Sequence, residues 1–270
     1  EMITLENYYL LMKVMAALAV VVFVTLYFVK AGYGMFRTKY WGWAISSRKA
    51  WMLMEAPAFL LMLLMCYLAV DATMDTPDDA HSDYIFRWQS LILCLLFELH
   101  YFQRSFIFPY KMVGHSKMPV LIMLMGMVFN IINALLLGCG LFKFSSPELR
   151  MSVFDWIAQP HVIIGVIIFF AGMFINMHSD RVIRHLRTAG DTAHYLPRRG
   201  FYRWVTSANY FGELVEWTGF AIAAMMPAAW LFLLWTAANL IPRAHAIHRN
   251  YRREFGDEVG RRKRIIPFIY

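Results

Sequence analysis

Seven apolar runs, at 8–29, 50–70, 86–108, 119–142, 154–177, 208–225 and 228–247, dominate the chain. Each comes close to or exceeds the ~20 residues that an α-helix needs to cross bilayer hydrocarbon. The runs are continuous and do not alternate with a period of two, so helices are the expected spans. With 60% of its 270 residues hydrophobic and 16% charged, the chain has too little polar surface for a soluble domain. The expected fold is all-α, a single integral-membrane domain over residues 1–270 built as a bundle of seven transmembrane helices. Only "MMP" parts the sixth and seventh runs, which predicts a tight helical hairpin. The first run is too long for a signal-peptide core and lacks a small-residue cleavage site, so it is expected to be a retained span.

Charge sorts the connections. Loop 30–49 carries Lys30, Arg37, Lys39, Arg48 and Lys49 without an acid, while loop 71–83 carries Asp71, Asp75, Asp78, Asp79 and Asp83 without a base. The segments 30–49, 104–118, 178–203 and 243–264 together hold 22 of the 26 lysines and arginines. Positive-inside topology then puts the N-terminus outside and the C-terminus in the cytoplasm. The net charge of +8 is explained by topology, since no aromatic-interleaved basic tract or zinc pattern points to nucleic acid. Cys66, Cys94 and Cys139 are an odd number, each in an apolar run and none in a CxxC pair, as expected of small core residues. No repeat, linker or low-complexity tract divides the chain.

The informative residues are polar groups inside these runs. A charged side chain at the bilayer centre costs at least ~3 kcal/mol on insertion scales. Yet "YFGELVEWTGF" at 210–220 places Glu213 and Glu216 in one, and Asn209, Glu213 and Glu216 fall at i, i+4 and i+7 on one helix face. The fifth run continues into "INMHSDRVIRHLR", where Asn176, Asp180, Arg184 and Arg187 line a stripe at i, i+4, i+8 and i+11. Guanidinium forks suit phosphate, while Asn and Asp suit ribose hydroxyls or a carboxamide. The third run ends with Glu98, Tyr101 and Arg104 at i+3 steps, and the second places Glu55 one turn beyond Trp51 and just before Pro57, which should bend that helix. Each feature alone has a structural explanation: interhelical glue, a positive-inside cluster or an interfacial tyrosine. Four intramembrane acids without an intramembrane lysine to match them point instead to a bound polar ligand. No metal is expected, because His100, His178, His185, His194, His245 and His248 form no H-E-x-x-H or comparable ligand set. No G-x-G-x-x-G follows a strand, so any nucleotide would have to be held by helices.

The segments "AWMLMEAPAF", "HYFQRSF", "INMHSDRVIRHLR", "ANYFGELVEWTGFA", "HRNYRREF" and "RKRIIPFIY" resemble the membrane-bound steroid 5α-reductase family over nearly the whole chain. The likeness is densest from Asn176 onward, a half shared with a broader group of NADPH-using reductases of steroids, sterols and enoyl lipids. The Glu55 and Tyr101 segments narrow it towards 3-oxo-Δ4-steroids. What the resemblance implies is a seven-helix bundle enclosing NADPH, with residues from about 176 to 270 serving mainly the cofactor, in which an enone carbon–carbon double bond is reduced. It implies that Glu55 and Tyr101 hold the steroid 3-keto oxygen and that Trp51 and Trp217 wall the steroid pocket. Tyr33, Asn176, Asp180, Arg187, Asn209, Glu213, His248 and Tyr251 match nucleotide-contacting positions. Arg104 and Arg184 join them as phosphate partners. Tyr195 is counted with the cofactor group, although His194 and Tyr195 stand where the family has Tyr-Arg, and Met54 stands where animal members often have Gln.

On this reading Glu55 donates to the ketone as a neutral acid, because burial among Trp51, Met54 and Phe59 disfavours its ionised form. The expected partners are a steroid-like lipid substrate and membrane lipid, without an obligate protein partner. The membrane is either a bacterial inner membrane or the endoplasmic reticulum. Two alternatives remain open in sequence: a reductase of another enone, enoyl lipid or sterol, and a transporter with acids as coupling sites. Isoprenylcysteine methyltransferases share part of the C-terminal pattern and use S-adenosylmethionine, but their need for a carboxylate-gripping site is not met by Glu55 and Tyr101.

Overall fold

The computed structural model describes residues 3–29, 41–75, 84–186 and 193–270. Among them the chain is helical: α1 (Leu5–Phe28), α2 (Ser47–Asp75), α3 (Trp88–Phe102), α4 (Phe108–Lys111), α5 (Val120–Phe142), α6 (Val153–Ile157), α7 (Pro160–Arg184), α8 (Ala208–Ala224) and α9 (Pro227–Phe255). One short antiparallel pair, β1 (Ala44–Ser46) with β2 (Lys117–Pro119), ties the approach to α2 to the start of α5, with Ile45 opposite Met118.

Five helical stretches, Leu5–Phe28, Ser47–Met74, Trp88–Lys111, Val120–Phe142 and Pro160–Arg184, are long and apolar enough to cross a membrane. The sixth and seventh apolar runs fold as helices too. However, α8 has 17 residues and α9 continues for 29 into the basic segment ending at Phe255. Five described stretches, not seven, thus meet the length and hydropathy of a span. The "MMP" signal does make a tight connection. α8 ends at Ala224, Met225 takes a left-handed conformation at φ 46°, and Pro227 opens α9. Proline suits that first helical position because its missing N–H would have no partner there.

Two runs are less regular than their hydropathy suggests. The fifth begins as the short α6 and restarts at α7, again with proline, Pro160, at the first position. The third passes through a π-helical turn, Gln103–Ile107, where the Phe108 N–H donates to the Gln103 carbonyl five residues back. Pro109 follows, and because it has no N–H the tighter helical bond at that point is lost. The wide turn carries Arg104.

Small residues set the closest helix approach. A Cβ added at Gly172 of α7 would collide with the backbone N of Glu216 in α8, and one at Gly212 with the backbone N of Asn176. Gly165 and Gly219 continue the seam, each about two turns further along its helix. This lets the two polar-bearing helices lie backbone to backbone, the arrangement that small residues permit in membranes. Around them α2 packs on α3 and α5, and α1 and α8 pack on α9. Trp217 sits at the centre of the apolar core, with ring centroids 4.4 Å from Phe232, 5.6 Å from Phe220 and 6.0 Å from Phe97.

Candidate active site

Polar residues of the spans gather in two connected groups and a separate buried pair. The first joins α2, α3 and α5. Tyr101 donates its hydroxyl proton to Asn130 Oδ1 at 3.2 Å, and Asn130 Nδ2 donates to Glu55 Oε2 at 3.2 Å and to the Met54 carbonyl at 2.8 Å. All three side chains are buried: Glu55 is 9% exposed, Tyr101 3% and Asn130 5%. Glu55 and Tyr101, 46 residues apart in sequence, are thus held on a common partner that the sequence reading did not single out.

The second group joins the π turn, α7 and α8. Arg104 Nη1 lies 3.5 Å from Asp180 Oδ2, and Asn209 Nδ2 donates to Asp180 Oδ1 at 3.1 Å. Asn176 Nδ2 donates to the Asn209 carbonyl at 2.9 Å, and the Tyr202 hydroxyl donates to Asn209 Oδ1 at 3.4 Å. The Arg104 guanidinium also sits over the Trp51 ring at 4.8 Å, which connects this group to the one around Glu55. A buried ion pair in an apolar bundle persists only when further hydrogen bonds satisfy its atoms, and Asn209 supplies one of them.

Glu216 does not stand with Asn209 as their common helix face suggested. It turns to His100 of α3, whose Nδ1 is 2.8 Å from Glu216 Oε1, and both are almost fully buried. The His100 ring packs edge-on to Trp217 at 4.6 Å, and Trp217 lies 6.2 Å from Tyr101. Glu213, half-buried, lies within electrostatic reach of Arg104 and His100. Arg184 acts on Asp180 from one turn further along α7.

Some predicted residues sit apart. Tyr195 is 43% exposed. Tyr251 is buried in a small apolar cluster with Leu196 and Val259. His248 meets Thr206, whose Oγ1 is 3.2 Å from His248 Nδ1, beside a cavity of about 440 Å³ lined also by Arg252, Arg261, Arg262, Lys263 and Arg264. Burial, with Arg264 and Arg252 adjoining, pushes His248 down to about 4, so its ring is neutral near pH 7. Tyr33 and Arg187 lie outside the described residues.

Asn130 and His100 were missed as partners. The signal for each was present, a lone amide and a lone imidazole in apolar runs, and intramembrane polar residues are functional candidates by default. Among the described residues no group of three metal-ligating side chains comes together.

Buried carboxyl, phenol, amide and guanidinium groups thus converge inside an apolar helical bundle. Comparison with known proteins then places the chain. The family model described as 3-oxo-5-alpha-steroid 4-dehydrogenase matches residues 116–270. The chain is 34% identical to the 3-oxo-5-alpha-steroid 4-dehydrogenase 1 of Bos taurus, over 94% of this chain and 93% of that one. It is 32% identical to the steroid 5-alpha-reductase DET2 of Gossypium hirsutum, over 99% and 98%. With the Homo sapiens 3-oxo-5-alpha-steroid 4-dehydrogenase 1 it shares 34% identity over 84% and 81%. The protein belongs to the 3-oxo-5-alpha-steroid 4-dehydrogenase family, oxidoreductases that act on CH–CH groups.

Proposed function

We propose that this protein reduces the Δ4 double bond of 3-oxo-Δ4-steroids with NADPH, its 3-keto group polarised by Glu55 and Tyr101. The observation that carries the reading is the buried Glu55–Asn130–Tyr101 connection, which holds two proton-bearing groups on one amide within an apolar bundle. The names of the relatives, which specify a 3-oxo steroid and 5α reduction, support it.

The residues present suit a dinucleotide. Ser179 Oγ, Ser207 Oγ and Glu216 Oε2 are buried without a hydrogen-bond partner among the described atoms, as expected where a polar ligand completes the set. Asn209 and Glu213 would hold the nicotinamide carboxamide, and Asn176 and Asp180 the adjoining ribose. Arg104, Arg184 and Arg187, with the cations around His248, would take the phosphates. Tyr33, Tyr195 and Tyr251 would contribute further nucleotide contacts. NADPH, when bound, supplies a hydride to the enone β-carbon.

The protein's own task is electrostatic. As the double bond is reduced, negative charge moves to the 3-keto oxygen, and donors aimed at that oxygen stabilise it. Each good donor is worth about 3 to 4 kcal/mol. Tyr101 supplies an O–H, and Glu55 supplies a second only as a neutral acid. Trp51 and Trp217 would wall the steroid. Seven spans, an exterior N-terminus, a cytoplasmic C-terminus and one domain whose 176–270 portion serves mainly the cofactor complete the proposal.

The test is substrate profiling of the purified protein. A 3-keto-Δ4 steroid should be turned over with NADPH, while the same ring system lacking the 3-keto group should not. NADPH should be preferred over NADH at limiting concentration by about tenfold or more, the worth of one charge-assisted contact to the 2′-phosphate. Equal rates with NADH would remove the phosphate assignment. Turnover of enones without a steroid ring at the same rate would favour the broader reductase reading.

A further inference from the structure

We propose that Asn130 is a positioning residue for the reduction: it fixes which oxygen of Glu55 offers a proton and keeps the Tyr101 hydroxyl in reserve for the ketone. The inference rests on the reading of Glu55 and Tyr101 given above and deepens it.

A primary amide has two N–H donors and one carbonyl acceptor, and the structure engages all of them. One Nδ2 proton goes to the Met54 carbonyl at 2.8 Å and the other to Glu55 Oε2 at 3.2 Å, while Oδ1 accepts from Tyr101 at 3.2 Å. The amide cannot be turned over. A flipped Oδ1 would face the Met54 carbonyl, which has no proton to give, and two acceptors would be buried against each other. The direction of every bond is therefore set by a backbone atom.

Two consequences follow for the reacting pair. Glu55 Oε2 is committed as an acceptor, so the proton of the neutral acid resides on Oε1, the oxygen that Asn130 leaves available to substrate. Tyr101 has a single hydroxyl proton, and it is directed to Asn130. A ground-state ketone is an acceptor much like an amide carbonyl and gains little by competing for that proton. The oxygen of the developing enolate carries charge, and charge-assisted hydrogen bonds are about twice as strong as neutral ones. Tyr101 thus changes partner as charge develops, and its donation is realised mainly in the transition state. An interaction of that kind raises kcat without tightening substrate binding.

The test uses the full-length protein in detergent, with Asn130→Leu and Asn130→Asp each measured alone and combined with Tyr101→Phe. Removing the amide should lower kcat by about tenfold to a hundredfold, the range expected when a reacting group is misplaced by around 1 Å. The steroid KM should stay the same or fall, because Tyr101 is then free to bind the ground-state ketone. In the Tyr101→Phe background the loss should be clearly smaller. A merely structural amide would instead raise KM, lower thermal stability and cost the same factor in both backgrounds to within about twofold, and that result overturns the proposal. So does wild-type kcat in both variants. Should Asn130→Leu fail to fold, Asn130→Asp keeps the size and shape of the side chain and carries the same comparison. If Tyr101→Phe alone leaves turnover unchanged, the polarising pair itself is wrong; if it lowers turnover but the Asn130 variants do not, only the positioning role is wrong.

Discussion

Replacing Glu55 with Leu should lower turnover of a 3-keto-Δ4 steroid by about a hundredfold to a thousandfold, the loss typical of removing one donor to a developing oxyanion. The substitution is close in volume and leaves the apolar surroundings intact, so the bundle should fold. Asn130 would lose one of its acceptors but keep Met54 and Tyr101. Binding of NADPH should be unchanged, since the residues proposed to hold it belong to the Arg104, Asp180 and Asn209 group. Glu55→Gln, which keeps an N–H donor in place of the acid O–H, should fall between the two. The measurement is kcat at saturating cofactor, with cofactor affinity determined separately. Turnover of Glu55→Leu near the wild-type value would end the assignment of Glu55 as a donor.

The second large effect is expected far from the ketone, at Gly172→Val. The new side chain would have to enter the space held by the Glu216 backbone, and backbone cannot move aside as a flexible side chain can. Gly126 offers the contrast, because the atoms nearest to a Cβ there all belong to the flexible Met54 side chain. Overpacking a close seam usually costs about 1–3 kcal/mol, and a clash between two helix backbones belongs at or above the top of that range. A loss of about 3 kcal/mol corresponds to roughly 6–12 °C in thermal midpoint for a domain near this size. Gly126→Ala should lose much less. Gly172 lies one turn from Asn176, whose amide donates to the Asn209 carbonyl across the same seam, so retention of NADPH should fall together with stability. An unchanged melting temperature for Gly172→Val would mean that α7 and α8 are not in backbone contact.

Much of the architecture was legible because a bilayer imposes a length. The runs at 8–29, 50–70 and 119–142 became α1, α2 and α5 with ends shifted by a few residues. The "MMP" hairpin was legible because proline at a helix start carries its own geometry. The break before Pro160 and the π turn before Pro109 had the same kind of signal but were hidden by the hydropathy of the runs around them. For the site, periodicity told which residues share a face but not which partner each would meet. Asn209 and Glu216 lie on one stripe of α8, yet one turns to Asp180 and the other to His100, on two different helices. Asn130 shows the limit most clearly. Its neighbours in sequence are apolar, and its partners come from α2 and α3, so only the packing of three helices gives it a role.

The most direct measurement is the fate of a labelled hydride. Purified protein is given NADPH carrying deuterium at the transferable position of the nicotinamide and a 3-keto-Δ4 steroid, and the product is analysed by mass spectrometry and NMR. One deuterium at the former β-carbon of the enone, with the 3-keto group intact, is the predicted result. Deuterium on a newly formed carbinol at position 3, or no transfer to the steroid at all, would contradict it.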